Sequence, residues 1–187
     1  MANKDAAFGL KALGKVGQNR DNQGLSEYDI AASASAIYFQ DPVEMAATGT
    51  ITVAAATDTL LGSLTGVFFT DASTSKPTFA NHLKGSNTAT DIKGFVSDDP
   101  YERFEIQSDD ATAAADVGLN ADIVYAAGSS PNYVSKVELD HSDLKTATAQ
   151  LRVLAISKDI ENNEAGSANV NLVVMINEHF LKGTTGI

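Results

Sequence analysis

Gly94-Phe95-Val96-Ser97-Asp98-Asp99-Pro100-Tyr101-Glu102-Arg103-Phe104-Glu105-Ile106-Gln107 reads as strand, rigid acidic turn, strand. Pro100 fixes its own φ and disfavours helix at Asp99, so the chain must turn after an extended arrival. Beyond it Phe104 and Ile106 fall on one face while Arg103, Glu105 and Gln107 fall on the other, the period of a half-buried strand. The stretch predicts a hairpin. It holds no nucleophile, base or ligand set, so it speaks of architecture rather than chemistry.

Working outward, short extended segments alternate with turn chemistry. Glu27 to Phe39 places Tyr28, Ile30, Ala32, Ala34, Ala36 and Tyr38 on one face and stops at Asp41-Pro42. Ile51 and Val53, and then Gly66 to Thr70, form the next strands; Asp71 to Pro77 and residues 81 to 91 are loops. Residues 109 to 127 predict one short helix or an irregular crossover, because Ala111, Ala113, Ala114 and Ala115 favour helix while Gly118 and Asn120 interrupt it. Val137 and Leu139, then Ala147, Ala149, Leu151 and Val153, restore clean alternation. Leu154-Ala155-Ile156 is apolar on both faces and implies a bulge or two-sided cover. Val170, Leu172, Val174 and Ile176 stand opposite Val173 and Met175 on another two-sided strand. That pattern suits contact with another subunit or a sandwich interior. The fold expected is mainly β, a single antiparallel β-barrel or sandwich with an extended N-terminal arm and at most one short helix.

The 187 residues suit one core, and with 7% aromatics and no Trp that core is built from small and β-branched side chains. The absence of cysteine excludes disulfides and thiolate ligands. The N-terminus lacks the apolar run of a secretory signal, and Leu172 to Ile176 is far too short for a membrane span. There is also no Asn-x-Ser/Thr sequon. A soluble protein made in the cytoplasm is expected.

Net charge is -11, but it is unevenly spread. Lys4, Lys11, Lys15 and Arg20 against Asp5 give residues 1 to 20 a net +3, leaving 9 basic and 23 acidic side chains in the remainder. The organisation expected is therefore a basic arm over 1–24, a β-body over 25–182 and a flexible tail over 183–187. The arm, rich in Gly, Asn and Gln, should order only against another surface, and Lys4, Lys11, Lys15 and Arg20 are its docking residues. A solubilising tail is the plainer alternative. An acidic body without an aromatic stacking platform does not suit nucleic acid.

Candidate chemistry is thin. His141-Ser142-Asp143 has the residue types of a hydrolase triad, but sequence neighbours point apart and cannot form the nucleophile, base and orienter chain. His82 and His179 lack an i+3 or i+4 ligand partner, so surface or satisfied polar roles are expected. Asp98, Asp99, Asp109 and Asp110 could converge on calcium, yet the spacing of an EF-hand is absent. Gly14 and Gly17 lack the third glycine and preceding strand of a phosphate cradle. No catalytic residue, metal or cofactor is assigned.

Tyr28-Asp29-Ile30-Ala31, Ala36 to Val43, Gly66-Val67-Phe68-Phe69, Phe95 to Pro100 with Phe104 to Gln107, Ala121 to Val124, Val137 to Asp140, Gln150 to Leu154 and Val174 to His179 come in an order covering most of the chain. That order resembles the capsid cement, or decoration, proteins of tailed bacteriophages, especially of marine and cyanobacterial phages. The resemblance implies a β-barrel body on the outer capsid surface of the virion and a terminal arm on the major capsid protein. It also implies contact with copies of itself, a trimer being preferred to a dimer, with no nucleic acid or membrane partner. On this expectation the arm anchors by charge and by strand addition to a capsid sheet edge. The alternatives are another virion β-protein, such as a tail-tube, baseplate or receptor-binding domain, then a carbohydrate-binding module, which the lack of Trp disfavours. An enzyme stands last.

Overall fold

The computed structural model describes residues 2–17 and 24–183. Thirteen strands follow in chain order: β1 (Lys11–Lys15), β2 (Ser26–Asp29), β3 (Pro42–Met45), β4 (Ile51–Val53), β5 (Leu60–Thr70), β6 (Pro77–Ala80), β7 (Lys93–Ser97), β8 (Glu102–Gln107), β9 (Asn120–Ala121), β10 (Ile123–Val124), β11 (Glu138–Leu139), β12 (Leu151–Ile156) and β13 (Asn171–Ile176). One antiparallel sheet has five strands in the order β1-β8-β13-β12-β9. A second has six, β2-β7-β5-β3-β4 with β6 also on β5, and β10 pairs with β11. The fold is mainly β, and its sheets form a sandwich rather than a closed barrel.

The hairpin predicted at Gly94–Gln107 is corrected to a corner between the sheets. β7 has β2 and β5 as its neighbours, and β8 has β1 and β13, so neither strand has an edge left for the other. The turn itself is tight: Glu102 N–H donates to the Asp99 carbonyl at 3.0 Å, and Tyr101 N–H donates to Asp99 Oδ1 at 2.8 Å. Glu105 and Gln107 depart from the half-buried expectation, being only 5% and 0% exposed. The N-terminal residues described below cover Gln107.

One further expectation changes, and one holds. The long extended segment from Glu27 ends at Asp29, and the left-handed φ of +60° at Ser33 breaks the alternation, so that Ile37 is buried and Ala32 exposed. Between 109 and 127 the chain makes only a 3-10 turn over Ala114–Asp116 before β9. Of the bulge or two-sided cover expected near Leu154, the bulge is present, with the β12–β13 register shifting between Val153 and Ala155.

The core has two clusters. Phe104, Ile106, Leu151, Val153, Leu172, Val174 and Ile176 of the five-stranded sheet gather with Leu10 and Leu60. Ile37, Val43, Leu61, Leu64, Val67 and Val96 gather on the six-stranded sheet. Leu60 and Leu61 are adjacent on β5 and enter different clusters, because successive strand side chains point to opposite faces.

The expected free arm is replaced over residues 2–17 by an integral part of the body. β1 is an edge strand on β8, with Lys11 opposite Glu105 and Lys15 opposite Glu102. Leu10 is fully buried, and its backbone is fixed by Gln40 at 2.9 Å and by the Ser63 hydroxyl at 2.6 Å. Just before it, Gly9 has φ +77° and lies so close to the Gln40 carbonyl that a Cβ would come within 2.3 Å. Side-chain amides hold the residues upstream. Gln107 bonds Lys4 O and Ala6 N, Asn162 bonds Lys4 O and N, and Asn3 bonds Ala168 O and Glu164 N. The Gly, Asn and Gln content that suggested disorder is offset by polar partners in the body itself, which satisfy the backbone. Arg20 lies outside the described residues, as do residues 184–187 of the expected tail.

Candidate docking face

The outer face of the five-stranded sheet is built by the period-two alternation of its strands. While Phe104, Val174 and Val153 point into the core, Arg103, Met175 and Arg152 point out, and the registers set these three side by side across β8, β13 and β12. The next outward row is Lys11, Glu105, Val173 and Ala155. The bulge on β12 brings Leu154 to the same surface. At one end Leu13 and Val16 from β1 and its exit, and Tyr101 from the corner, stand 39%, 50% and 61% exposed. Of these outward residues all but Arg152 line an open groove of about 1030 Å³, and Arg152 stands beside it, opposite Met175 on β12.

Charges frame this apolar strip. Arg103 Nε donates to Gly14 O at 3.2 Å and Arg152 Nε donates to Asn120 Oδ1 at 3.0 Å. Both guanidinium groups are thereby oriented, and their Nη atoms meet no acceptor among the described residues. Lys182 Nζ lies 4.8 Å from the centre of the Tyr101 ring, and burial together with the Arg152 charge lowers its pKa. The acids on this face are already engaged. Glu105 receives Lys11 at 2.9 Å and the Ser157 hydroxyl, Asp159 receives Asn171 at 3.2 Å and Glu161 N–H at 3.1 Å, and Asp99 pairs with Lys15 at 2.8 Å.

Of the expected docking residues, Lys11 and Lys15 therefore border this face as ion-paired members of β1. Lys4 is tied by its backbone at the far side of Gln107. Sequence reasoning missed Arg103 and Arg152, although Arg103 sat in the opening stretch and Arg152 in a cleanly alternating strand. Only the register that places them on either side of Met175 gives them a joint meaning.

The acidic corner is a structural joint. Tyr28 Oη donates to Asp98 at 2.6 Å, and burial with that bond pushes its pKa to about 12. His179 packs behind the corner at 2% exposure; its Nδ1 accepts Leu181 N–H at 3.1 Å, and its Nε2 is buried. Burial, reinforced by Lys182, drives its pKa down to about 4 despite Asp98 and Asp99 nearby. Asp109 and Asp110 lie past the other end of β8; at about 3.3 Å per residue they are roughly 30 Å from Asp99 and cannot share an ion with it. No group of three or more His, Asp and Glu among the described residues could hold a metal.

His141-Ser142-Asp143 forms a 3-10 turn in which Ser142 and Asp143 are engaged with other partners than a triad needs. Ser142 Oγ donates to Asp140, and Asp143 bonds Lys145 and Asp122 N–H. His82 stacks on Tyr133 at 3.9 Å.

No family model, curated protein or solved structure matches this chain. Fold and geometry together define a β-sandwich with one open face, apolar at its centre and basic at its edges. No helix among the described residues is long and apolar enough to cross a membrane.

Proposed function

We propose that this protein is a structural virion protein that binds the outer surface of a tailed-phage capsid and cements neighbouring major capsid protein subunits. The order of segments along the chain suggests the class. The observation that carries the reading is the open apolar and basic face on a body of net charge -11. Contiguous apolar surface rimmed by polar groups marks an interaction site.

A cement protein works by binding the assembled lattice and not the free subunit, which shifts the equilibrium toward the closed shell against internal DNA pressure. Interfaces at or below the roughly 1,600 Å² standard suffice when many copies act on one rigid lattice. Since residues 2–17 are part of the body, the face takes over the anchoring role first assigned to a free arm.

Imaging particles that carry a labelled copy tests the location. Label over the head surface is expected; six-fold rings along a tail would move the protein to the tail tube and end the cement reading. Occupancy on purified heads should also fall as salt rises, because rim charges exposed to solvent are screened within about 10 Å at 0.1 M.

A further inference from the structure

We infer that the outer face of the five-stranded sheet binds, face-on, an acidic-rimmed apolar surface of a different protein, with Arg103 and Arg152 each taking a carboxylate on either side of Met175. The inference deepens the cement reading and rests on it for the partner's identity.

Arg103 and Arg152 are separated by two strand spacings through Met175, about 10 Å between their backbones. Each is oriented through Nε, and the remaining fork is the geometry that receives a carboxylate bidentately. Lys182 and Lys158 extend the positive rim, and a partner carboxylate would relieve the repulsion between Lys182 and Arg152. Between these cations Val173, Met175 and Leu154 offer only apolar contact. The partner surface therefore has two carboxylates about 10 Å apart with an apolar side chain between them.

Other occupants fit less well. A two-fold contact with a second copy would set this face against itself, bringing the arginines of one copy onto the like-charged rim of the other. Nucleic acid or an anionic lipid surface would satisfy the arginines but would face a body of net charge -11. Strand addition at the sheet edge is blunted on β1 itself, which carries a bulge between Ala12 and Gly14, φ +132° at Gly14, and lysines at both ends.

The test uses the full chain carrying a photo-crosslinking benzoyl-phenylalanine at Val173, present during particle assembly, with the same group at exposed Thr65 as control. Crosslinking to a carboxylate-bearing peptide of the capsid subunit, reduced at least tenfold by R103E/R152E and clearly weakened by the milder R103Q/R152Q, is expected. Both double variants should melt as the parent does, since the two arginines are exposed. The same charge-sensitive crosslink to an acidic segment of another virion protein would keep this inference while ending the cement reading. Crosslinks to a second copy, to nucleic acid or to lipid would overturn it. So would yields no higher than at Thr65, or yields indifferent to charge reversal.

Discussion

The outer faces of the two sheets are made of the same kinds of residue and end differently. On the six-stranded sheet, Phe79 and Phe95 pair with ring centres 5.5 Å apart, and the Phe79 ring lies over Gly66. Beside them Lys93 bonds both Asp29 and Glu27, at 2.7 and 3.4 Å. On the five-stranded sheet, among the described residues, no aromatic ring pair covers Val173 and Met175, and no carboxylate pairs with Arg103 or Arg152. One face completes its contacts within the chain, and the other leaves complementary groups unmet. Exposure alone does not separate them, because Phe79 is 69% exposed and more open than any apolar residue of the docking face. What separates them is whether each group already has its partner.

The largest effect is expected on β1, which borders the open face. Leu10→Ala should cost about 2–5 kcal/mol, because it empties a fully buried site in the first core cluster. Leu13→Ala, three residues on and facing the groove, should change stability by no more than about 0.5 kcal/mol. Denaturant midpoints read the difference. If both substitutions are silent, residues 2–17 are not part of the body, and the open face loses its border.

Acid tests whether the seam between the sheets holds. His179, with a pKa of about 4 in the folded chain and 6.5 unfolded, takes up its proton later in the folded state. Its contribution is thus present above pH 6.5 and is lost as pH falls toward 4. Asp41, raised by burial from 3.8 to about 6, acts in the opposite sense, since the folded state takes up that proton first. Each is worth up to about 3 kcal/mol. Their windows overlap between pH 4 and 6, so the parent protein should show a shallow dependence there. Asp41→Asn should expose a steep loss of stability on acidification. His179→Asn, which keeps an acceptor for Leu181 N–H, should leave the Asp41 term alone, so that stability rises as pH falls from 6 to 4. Parallel curves for all three proteins would remove His179 from the seam.

These contrasts mark how far the sequence could be read. Alternation in β12 and β13 was legible because burial follows the strand period up to the bulge, whereas in β8 the outward Glu105 and Gln107 are covered by other parts of the chain. Near Leu154 two apolar faces in succession left a bulge or two-sided cover open, and only the register decides for the bulge. The corner was not legible, because a turn carries no record of whether the next strand returns to the same sheet. The course of residues 2–17 was also hidden. Its polar residues look like those of a disordered tail, and the amides of Gln107 and Asn162 that hold it are more than 100 positions away. The docking face could not be assembled for the same reason: Arg103, Arg152 and Met175 meet only through register.

The smallest effects bear most directly on the difference between the faces. Phe79→Ala should cost about 1 kcal/mol, from the lost ring pair and the uncovered Gly66. Met175→Ala on the open face should cost less in the isolated protein, because no aromatic ring among the described residues covers Met175, yet it should reduce occupancy on the proposed capsid partner. Lys93→Met should leave melting unchanged, since an exposed lysine shared between two solvated carboxylates contributes little. The signature is therefore a crossed pattern, with stability sensitive on the six-stranded face and binding sensitive on the five-stranded one. Equal occupancy loss from Phe79→Ala and Met175→Ala would mean that both faces touch the partner, and an open face would no longer be what distinguishes the two sheets.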